Sequence, residues 1–543
     1  MATARIKDGR IWITTPYSDY ALCASLPGAR WSNAKRAWSC PATAAGYAAV
    51  CGRWDSLRTD AALSELEQDY WARQLARGVR DDPAPSGDSY QYHTLPWNHQ
   101  VGATLFAIGM DAVLLHCHMG TGKTKITFDA LRERAHETVL VLCPASVVDV
   151  WQIEAEKHAP ETFDILPLRK GSCSKRADLL RQALGKPRTV PLVAVVNYEA
   201  AASRTLSKTG PLGAEILAHE WGALVLDESH RIKSPGAHCS RFCAQIKAGH
   251  KLALTGTPMP HSPLDIYGQY RTLDPAIFGT RFSKFRDQYA VMGGFEGRQV
   301  LAFRNQDELR AEMDRLRYTV TKDALDLPPL QTIDRAVQLT ARTRKHYNEM
   351  STAFVTAVEQ GVITAANALA KLLRLQQITC GYGMVDGVEV SLGTEKRDAL
   401  TDLFTDLAGE NVVVFTRFRH DLDAVWKAAK ATGRSVLEVS GRRHDYLLWK
   451  EGKHDTLAVQ IQSGALGLDL TEASYAVFYS LGFSLGDYQQ AVARVHRPGQ
   501  TRPTIIYRLL AAGTVDQKIT RAIDKRKQIV DYVIGEGDGA HRE

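Results

Sequence analysis

Residues 112–124 read AVLLHCHMGTGKT, and this stretch determines the expected class of fold. Residues 112–115 are a short apolar run typical of a buried strand, a glycine-containing loop follows, and residues 125–134 can form a helix. Glycines allow backbone N–H groups to approach an anion, and the N-terminus of the next helix adds a positive field. The order of strand, loop and helix therefore predicts a phosphate-binding loop in an α/β fold.

The loop carries side chains suited to a triphosphate. Lys123 can reach the β- and γ-phosphates, and the Thr124 hydroxyl can bind Mg²⁺. The spacing is an imperfect match to G-x-x-x-x-G-K-[ST], because Cys117 stands where the first glycine is expected. For this stretch alone, a chance glycine turn is the alternative. The predicted nucleotide-binding residues of the loop are Gly120, Thr121, Gly122, Lys123 and Thr124.

A pair of carboxylates, Asp227 and Glu228, follows the apolar run WGALVL at residues 221–226. A buried strand there would deliver both acids to its carboxyl end, where ligands bind in open α/β sheets. Asp227 is then suited to hold Mg²⁺, and Glu228 to orient and polarise an attacking water. The alternative is an acidic cap at a strand-to-helix junction, since Asp and Ser are good N-cap residues.

Two arginines far along the chain complete the pattern. In QQAVARVHRPGQ (489–500), Gln490, Arg494 and Arg497 are spaced at i, i+4 and i+7, positions that share one face of a helix. Guanidinium groups bind phosphate through paired hydrogen bonds and stabilise charge on a transferring phosphoryl group. A solvated basic helix is the alternative interpretation. Together the three segments indicate ATP-driven movement on nucleic acid.

The order of these segments resembles that of a superfamily-two helicase, and within it the Swi/Snf-type branch of double-stranded-DNA translocases. The general layout is similar to that of the small annealing helicases that carry a HARP module. The resemblance covers residues 95–528. Seven further segments carry it: LPWNHQ (95–100), VLVLCPASVVDVW (139–151), VVNYE (195–199), LTGTP (254–258), VVVFTR (412–417), SGALGLDL (463–470) and TVD (514–516).

The resemblance implies two RecA-like lobes with ATP and Mg²⁺ bound in the cleft between them. Gln100 would read the adenine edge, and Arg494 and Arg497 would arrive from the second lobe when the cleft closes. The catalytic set implied by the family is Lys123, Glu228, Arg494 and Arg497, and the nucleotide-binding set also includes Asp227, Gly467 and Gln490. The residues implied in coupling hydrolysis to DNA are His230, Thr255, Thr257 and Asp469.

The chain departs from the family pattern at four positions. His118 replaces the usual Asp of the phosphate loop, and Thr121 replaces the common Leu. His261 stands for the usual Asn after LTGTP, and Asp469 for the Asn that is commoner in its segment. The catalytic residues are unaffected, so the resemblance still implies an active DNA-dependent ATPase.

The predicted fold is α/β, with two RecA-like parallel-sheet lobes, helical insertions and a small N-terminal α+β module. Residues 60–77 favour a helix, and a linker rich in Pro, Gly and Asp follows at residues 81–88. The predicted domains are a HARP-like accessory module (1–58), a helix and linker (59–94), lobe 1 (95–275), helical insertions and a hinge (276–395), lobe 2 (396–528) and a flexible tail (529–543).

Tryptophans mark the N-terminal module. LPGARW (26–31) and AWSCP (37–41) resemble the HARP pattern, in which a Pro-Gly turn and an aromatic residue precede a Trp-x-x-Pro strand. The resemblance implies recognition of forked or single-stranded DNA, with Trp31 and Trp38 stacking on bases beside Arg30. The alternative is that the tryptophans form the core of a small β-rich domain, since Trp is highly buried on average.

The composition is that of an ordinary globular protein. The net charge of the 543 residues is only +7, so a DNA surface has to come from local clustering. No apolar run approaches the ~18 residues of a membrane span and no signal peptide is evident, which predicts a cytoplasmic location. Nine cysteines without paired metal spacing favour reduced thiols, and zinc at Cys239 and Cys243 is the weaker alternative. Abundant arginine and alanine point to a bacterial cell or a phage-infected host.

The resemblance therefore implies an ATP-dependent DNA translocase that acts as a monomer and remodels or reanneals DNA or protein–DNA structures. A strand-separating helicase of replication or recombination is the alternative within the class. A nucleotide-switched DNA-binding or loading module is the alternative from another class. The expected partner is duplex or forked DNA, and no membrane is expected.

Overall fold

The structure is a computed structural model. It describes residues 2–7, 10–15, 19, 23, 29–32, 36–41, 50, 57–58, 92–205, 208–294, 299–325, 327–359, 365–385, 388–461 and 468–534. The helix predicted at residues 60–77, the linker at 81–88, Gly467 and the tail beyond residue 534 lie outside the described residues. The chain divides into two compact units, residues 1–113 with 125–136 and residues 114–124 with 137–543.

The first unit contains a small sheet with strands β1 (Ala2–Lys7), β2 (Arg10–Thr14), β3 (Arg30–Ser32), β4 (Ala37–Pro41) and β5 (Leu57–Arg58). The strand order is β3-β4-β2-β1-β5, antiparallel except for the parallel pair β1–β5. Burial alternates along β1 and β2, so that Ala4, Ile11 and Ile13 are buried while Arg5 and Thr14 are exposed. Two helices follow in the chain, α1 (Asn98–Ile108) and α2 (Lys123–Glu133).

The second unit contains two large parallel sheets, and we call each sheet with its helices a lobe. The strands of lobe 1 are β6 (Ala112–Cys117), β7 (Thr138–Cys143), β8 (Asp164–Pro167), β9 (Leu192–Asn197), β10 (Arg204–Thr205), β11 (Lys208–Thr209), β12 (Trp221–Asp227), β13 (Ala248–Thr255), β14 (Ala290–Gly293), β15 (Gln299–Phe303) and β16 (Arg317–Val320). Two pairs, β10–β11 and β14–β15, form separate hairpins. The other seven strands form one sheet in the order β16-β6-β13-β12-β7-β9-β8, which β6 joins through residues 114–117.

The helices of lobe 1 lie in the chain segments between these strands. They are α3 (Val148–His158), α4 (Cys173–Leu184), α5 (Tyr198–Ala201), α6 (Pro211–Ala218), α7 (His238–Cys243), α8 (Ile266–Leu273), α9 (Pro275–Phe278), α10 (Phe282–Tyr289) and α11 (Gln306–Met313). Central strands such as β7 and β12 are almost wholly buried, as expected for a parallel sheet covered on both faces.

The helices of lobe 2 are α12 (Ala341–Glu359), α13 (Ala365–Thr379), α14 (Glu395–Asp406), α15 (Arg419–Ala431), α16 (Tyr446–Lys450), α17 (Leu485–Val495) and α18 (Val515–Ile534). Its strands are β17 (Leu330–Val337), β18 (Tyr382–Val385), β19 (Val388–Ser391), β20 (Val412–Thr416), β21 (Val436–Val439), β22 (Thr456–Gln460), β23 (Tyr475–Phe478) and β24 (Thr504–Ala511). Six of them form a parallel sheet in the order β17-β24-β23-β20-β22-β21, and β18–β19 is a hairpin.

The α/β class with two parallel-sheet lobes, predicted from the sequence, is confirmed. The carboxyl ends of parallel strands meet at one edge of a sheet, so each lobe gathers its loops at such an edge. Among the residues that the structure describes, no helix is long and apolar enough to cross a membrane.

Strands also occur within residues 276–395, where the sequence indicates helical insertions. β16 is one of the two edge strands of the lobe 1 sheet, and β17 is one of the two edge strands of the lobe 2 sheet. They carry charged residues such as Arg317 and Asp334 and lack the continuous apolar run of a central strand. The expectation of a flexible tail from residue 529 is also wrong over residues 529–534, which form the last turns of α18 because Val530 and Val533 are buried.

A buried ion pair holds α18 to the rest of lobe 2. Lys396 Nζ on α14 lies 2.7 Å from Asp516 Oδ2 at the start of α18, and both side chains are at most 3% exposed. Thr379 Oγ1 donates to the other carboxylate oxygen (3.0 Å), and the Ala511 N–H donates to Oδ2 (3.1 Å). Lys396 Nζ also donates to the carbonyl of Tyr479 (3.1 Å). The pair therefore joins two helices and the sheet at one point.

We expect Lys396→Met to lower the free energy of unfolding of lobe 2 by about 3–5 kcal/mol, because it leaves the Asp516 carboxylate buried without its counter-ion. Urea denaturation followed by circular dichroism measures the change. Lys453→Met is the matched control, since the Lys453 side chain is 75% exposed and its loss should cost at most about 0.5 kcal/mol. Equal denaturation midpoints for the two variants would contradict a stabilising role of the buried pair.

Candidate active site

The phosphate loop turns at two glycines with left-handed backbone. Gly120 has φ 89° and Gly122 has φ 83°, conformations that residues with a side chain rarely adopt. Thr121 Oγ1 donates to the carbonyl of His118 (2.7 Å), and this hydrogen bond closes the turn. Because these three residues shape the backbone, the loop presents its N–H groups at the start of α2.

Position 117, where the phosphate-loop pattern has glycine, needs no glycine in this fold. Cys117 is the last residue of β6, fully buried and in strand conformation. Its carbonyl accepts a hydrogen bond from Lys123 Nζ (3.1 Å), so the site uses only its backbone. Burial and the positive charge of Lys322 lower the pKa of His118 to about 3, so this second departure from the pattern adds no charge to the loop.

The acidic pair stands at the carboxyl end of β12. Trp151 Nε1 donates to Asp227 Oδ2 (3.2 Å), and Tyr198 OH donates to the Asp227 carbonyl (2.9 Å). Glu228 has φ 50°, a left-handed conformation that costs a residue with a side chain about 1–3 kcal/mol. The surrounding hydrogen bonds hold Asp227 in place, and the strained turn directs Glu228 away from the strand.

The pKa values of Asp227 and Glu228 are shifted in opposite directions. Burial and the neighbouring Glu228 charge raise the pKa of Asp227. Burial alone would raise the pKa of Glu228, but the hydrogen bond from His230 and nearby positive charges lower it, so Glu228 is held ionised. Asp227 and Thr124 offer carboxylate and hydroxyl oxygens, the ligands that Mg²⁺ prefers, and a divalent cation would relieve the repulsion that raises the Asp227 pKa. The donor set therefore fits Mg²⁺.

The arginine segment differs from the prediction in one respect. Helix α17 ends at Val495, and His496 is non-helical (φ −102°, ψ 86°), so Arg497 lies in the turn after the helix and not on its face. Pro498 keeps Arg497 out of the helix, because proline disfavours helical backbone at the residue before it. Burial lowers the pKa of His496, and its Nε2 lies 2.7 Å from the Pro328 carbonyl in the linker between β16 and β17. A neutral His496 donates from Nε2 and ties the turn to that linker.

Arg494 of lobe 2 lies within electrostatic range of Glu228 of lobe 1. Its positive charge helps to lower the Glu228 pKa, and the Glu228 carboxylate opposes the lowering of the Arg494 pKa by burial. The Nε atoms of Arg494 and Arg497 are buried and have no hydrogen-bond partner among the described residues. Buried donors without partners are rare in folded proteins. Guanidinium donors match phosphate oxygens, so these two groups fit the phosphate end of a nucleotide.

His230 connects the acidic pair to the loop after β13. Its Nδ1 lies 3.3 Å from Glu228 Oε2 and 3.3 Å from Thr255 Oγ1. Thr255 Oγ1 also accepts a hydrogen bond from the Thr257 N–H (3.0 Å), and both threonines are buried. A change at Glu228 can therefore reach residues 255–257 through one imidazole ring.

Asp469 belongs to a second network in lobe 2. The hydroxyl of Tyr446 on α16 accepts from the Asp469 N–H (3.0 Å) and donates to the Asp469 carbonyl (3.3 Å). Lys450 Nζ lies 3.6 Å from Asp469 Oδ2. Arg497 Nη1 donates to the carbonyl of Leu468 (3.3 Å), next to Asp469. The described part of this segment is thus attached to the arginine turn.

Three predicted nucleotide-binding residues stand apart from these contacts. Gln100 belongs to the first unit, where it is buried on α1 and its Oε1 accepts the Trp97 N–H (2.9 Å) at the start of the helix. Gln490 is half-buried on α17, one turn before Arg494. Gly467 lies outside the described residues. The nucleotide contacts of these three residues stay predictions.

The tryptophans of the first unit lie on its small sheet. The rings of Trp31 on β3 and Trp38 on β4 are paired across the strands, with centroids 5.6 Å apart. Trp38 is opposite Ile13 and therefore belongs to the packed face, whereas Trp31 on the edge strand is 37% exposed. Trp12 is on the other face, opposite Arg5. DNA contact by Trp31 and Trp38 stays a prediction.

Two supports of Asp227 carry no signal of that role in the sequence. Trp151 and Tyr198 lie 76 and 29 residues before it in the chain. They follow β7 and β9, and the sheet order β12-β7-β9 places those strands beside β12. Only the strand order, which is a property of the whole sheet, brings these side chains to the acid.

Comparison with known proteins identifies relatives over most of the chain. Residues 90–384 match the family described as SNF2-related domain, and residues 395–499 match the helicase conserved C-terminal domain. The Chromodomain-helicase-DNA-binding protein 1-like of Danio rerio is 26% identical over 450 residues, which are 78% of this chain and 42% of that protein. Putative protein p41 of Acyrthosiphon pisum secondary endosymbiont phage 1 is 27% identical over 447 residues, which are 77% of this chain and 93% of that protein.

The chain spans well under half of some relatives. The match to the CHD3-type chromatin-remodeling factor PICKLE of Arabidopsis thaliana, at 22% identity over 468 residues, covers 78% of this chain but 32% of that protein. Among solved structures, the Sulfolobus solfataricus SWI2/SNF2 ATPase core in complex with dsDNA is 21% identical. That match covers 83% of this chain and 95% of the other, with a TM-score of 0.38.

Inorganic tripolyphosphate with Mg²⁺ should bind at this site, because Lys123 and both arginines offer phosphate donors. We expect Arg494→Ala to weaken binding about 10- to 100-fold, the effect of losing hydrogen bonds to a charged group, as measured by titration calorimetry. Arg502→Ala is the matched control, since Arg502 donates to Glu410 and Ser474 instead. Wild-type affinity in the Arg494→Ala variant would rule out a phosphate at this position.

Proposed function

The chain belongs to the SNF2-related family of helicase-type ATPases, and on that premise we propose that it couples ATP hydrolysis to movement along duplex DNA. Such movement remodels or reanneals DNA or protein–DNA structures. The observation that carries the proposal is that lobe 2 holds two buried guanidinium Nε atoms, of Arg494 and Arg497, without a hydrogen-bond partner among the described residues, and that the Arg494 charge acts on Glu228 of lobe 1. Relatives named for helicase and DNA-binding functions support a nucleic-acid track.

The phosphates of ATP bind on the loop at residues 120–124. Lys123 exchanges the Cys117 carbonyl for the β- and γ-phosphates, a charge-assisted contact that is stronger than a bond to a neutral carbonyl. Thr124 and Asp227 would hold Mg²⁺, which when bound would supply positive charge that offsets the negative charge on the phosphate oxygens. Glu228, kept ionised, accepts a hydrogen bond from the attacking water and orients it.

Hydrolysis is tied to the position of the lobes. Arg494 and Arg497 stabilise the charge that develops on the γ-phosphate, and both belong to lobe 2. The loop that holds the phosphate and the acid that orients the water belong to lobe 1. Turnover therefore occurs only when the lobes are together, and release of phosphate removes the ligand that both lobes share.

His230 passes this state on to the loop after β13. Loss of the γ-phosphate alters the surroundings of Glu228, and His230 contacts both Glu228 and Thr255 at 3.3 Å. Thr255 and Thr257 are among the residues that the family resemblance implies in coupling hydrolysis to DNA. The His230 ring thus connects the hydrolysis step to the residues implied in coupling to DNA.

Displacement of a triplex-forming strand with little unwinding of a duplex is the expected behaviour, with ATP turnover stimulated by duplex DNA. Glu228→Gln and Lys123→Ala should each lower turnover about 100-fold or more and abolish displacement while DNA binding persists. Glu451→Gln, an exposed acid paired with Lys453, is the matched control and should behave as wild type.

The alternatives give different outcomes in the same assays. Efficient strand separation would favour a helicase. Slow turnover that gates DNA binding without displacement would favour a loading module. Wild-type turnover in the Glu228→Gln or Lys123→Ala variant would contradict the assignment of these residues to the ATPase site.

Trp31 is the proposed DNA contact of the first unit, with Trp38 packed behind it. Its ring is 37% exposed, and the neighbouring Arg30 is exposed as well, so a base can stack beside a phosphate-binding cation. Trp31→Ala should weaken binding of forked DNA by about 1–3 kcal/mol in fluorescence anisotropy, whereas Trp31→Phe should retain most of the affinity. Unchanged binding by Trp31→Ala would assign the rings to the sheet core alone.

A further inference from the structure

Glycines meet prolines at two places where lobe 1 and lobe 2 touch. A Cβ atom on Gly486, in the first turn of α17, would lie 2.8 Å from Pro260 Cβ in the loop after β13. A Cβ on Gly120 of the phosphate loop would lie 2.6 Å from Pro498 Cδ in the arginine turn. Contacts this short do not occur between real carbon atoms, so each approach depends on the missing side chain.

Gly120 also needs its left-handed backbone, but Gly486 does not. No positive φ is found at Gly486, and the residue lies inside a helix whose Ser484 N-cap accepts the Asp487 N–H (3.2 Å). Glycine in a helix costs roughly 0.5–1 kcal/mol relative to alanine. Neither backbone geometry nor helix propensity requires glycine at position 486. The close approach of Pro260 does, because it leaves no room for a Cβ atom.

The Pro260 loop cannot retreat from α17. Asp265 Oδ2 accepts the backbone N–H groups of His261 (2.7 Å) and Ser262 (3.2 Å). On the other side of the proline, the buried Gln269 Nε2 donates to the Pro258 carbonyl (2.7 Å). Hydrogen bonds thus fix the loop on both sides of residue 260. An added side chain at residue 486 has to be accommodated by movement of α17.

Charges from both lobes converge beside this contact. Burial lowers the pKa of His261, which follows Pro260, and the positive charges of Lys233 in lobe 1 and Arg526 in lobe 2 lower it further. The carboxylates of Asp265 and Asp487, one from each lobe, act in the opposite direction. The same short segment is therefore where polar groups of the two lobes face each other.

A cavity of about 610 Å³ is lined by residues close in the chain to both partners of the contact. Its lining includes Thr257 and Met259 from lobe 1 and Tyr488, Val492 and Lys527 from lobe 2. The lobes are therefore not packed together continuously in this region. The approach of Gly486 to Pro260 is a narrow point of contact beside this cavity, where one added carbon atom can hold the lobes apart.

We propose that Gly486 is a positioning residue whose missing side chain allows α17 to reach the Pro260 loop and so brings Arg494 to the phosphate. Arg494 lies two helical turns further along the same helix, at about 1.5 Å of rise per residue. A shift at the start of a rigid helix is carried to the guanidinium. This proposal rests on the proposed ATPase function.

Gly486→Ala tests the proposal without touching a residue of the catalytic set. We expect kcat for DNA-stimulated ATP hydrolysis to fall between about 10- and 100-fold, the cost of a misplacement near 1 Å, and KM for ATP to rise, because a displaced Arg494 also binds the phosphate less well. The urea midpoint should stay the same or rise, because alanine favours the helix. Gly236→Ala is the matched control, since a Cβ there meets nothing within 4 Å.

The double variant Gly486→Ala with Pro260→Gly is the decisive comparison. Removing the Pro260 side chain makes room for the new methyl group. The double variant should therefore recover most of the kcat that Gly486→Ala loses, with Pro260→Gly alone as the reference. Wild-type kcat in Gly486→Ala would overturn the proposal. A loss that Pro260→Gly leaves unrelieved would overturn it as well.

A measurement of shape separates this proposal from the proposed function. Small-angle X-ray scattering with a non-hydrolysable ATP analogue should give a larger radius of gyration for Gly486→Ala than for wild type, reversed in the double variant. If wild type lacks DNA-stimulated turnover but these radii differ as stated, the proposed function fails and the closure contact stands. Equal radii in all variants would overturn the contact itself.

Discussion

The electrostatic attraction between Arg494 and Glu228 is the constraint on which the candidate site depends. The two residues come from different sheets, Glu228 directly after β12 and Arg494 on the helix that follows β23. The residues of the candidate site come from both lobes, so the separation of the lobes determines whether they meet. The strained backbone of Glu228 belongs to this constraint, because the fold holds the acid where the arginine arrives.

The phosphate loop and the acidic pair are predictable because each follows an apolar run, and parallel strands share their carboxyl edge. The prediction that Arg497 shares a helix face with Arg494 is wrong, because the helix ends before Pro498 and the i, i+4, i+7 spacing takes no account of the proline. The sequence pattern also fails at β16 and β17, since an edge strand need not be continuously apolar. The support of Asp227 by Trp151 depends on strand order, which local sequence does not contain.

Rigidity is distributed unevenly. Within lobe 2 the buried Lys396–Asp516 pair satisfies its polar atoms from helices and sheet alike, and such a network tolerates little displacement. Between the lobes, a cavity of about 610 Å³ lies beside narrow glycine contacts. An arrangement of this kind favours displacement of a lobe as a whole over deformation of its packed interior.

His496 has a mechanical consequence. Its ring bonds the Pro328 carbonyl in the segment that joins the two sheets, and the next residue in the chain is Arg497. The linker and the arginine turn are joined by this hydrogen bond. A displacement of the linker therefore acts directly on the turn that carries Arg497, without passing through the core of either sheet.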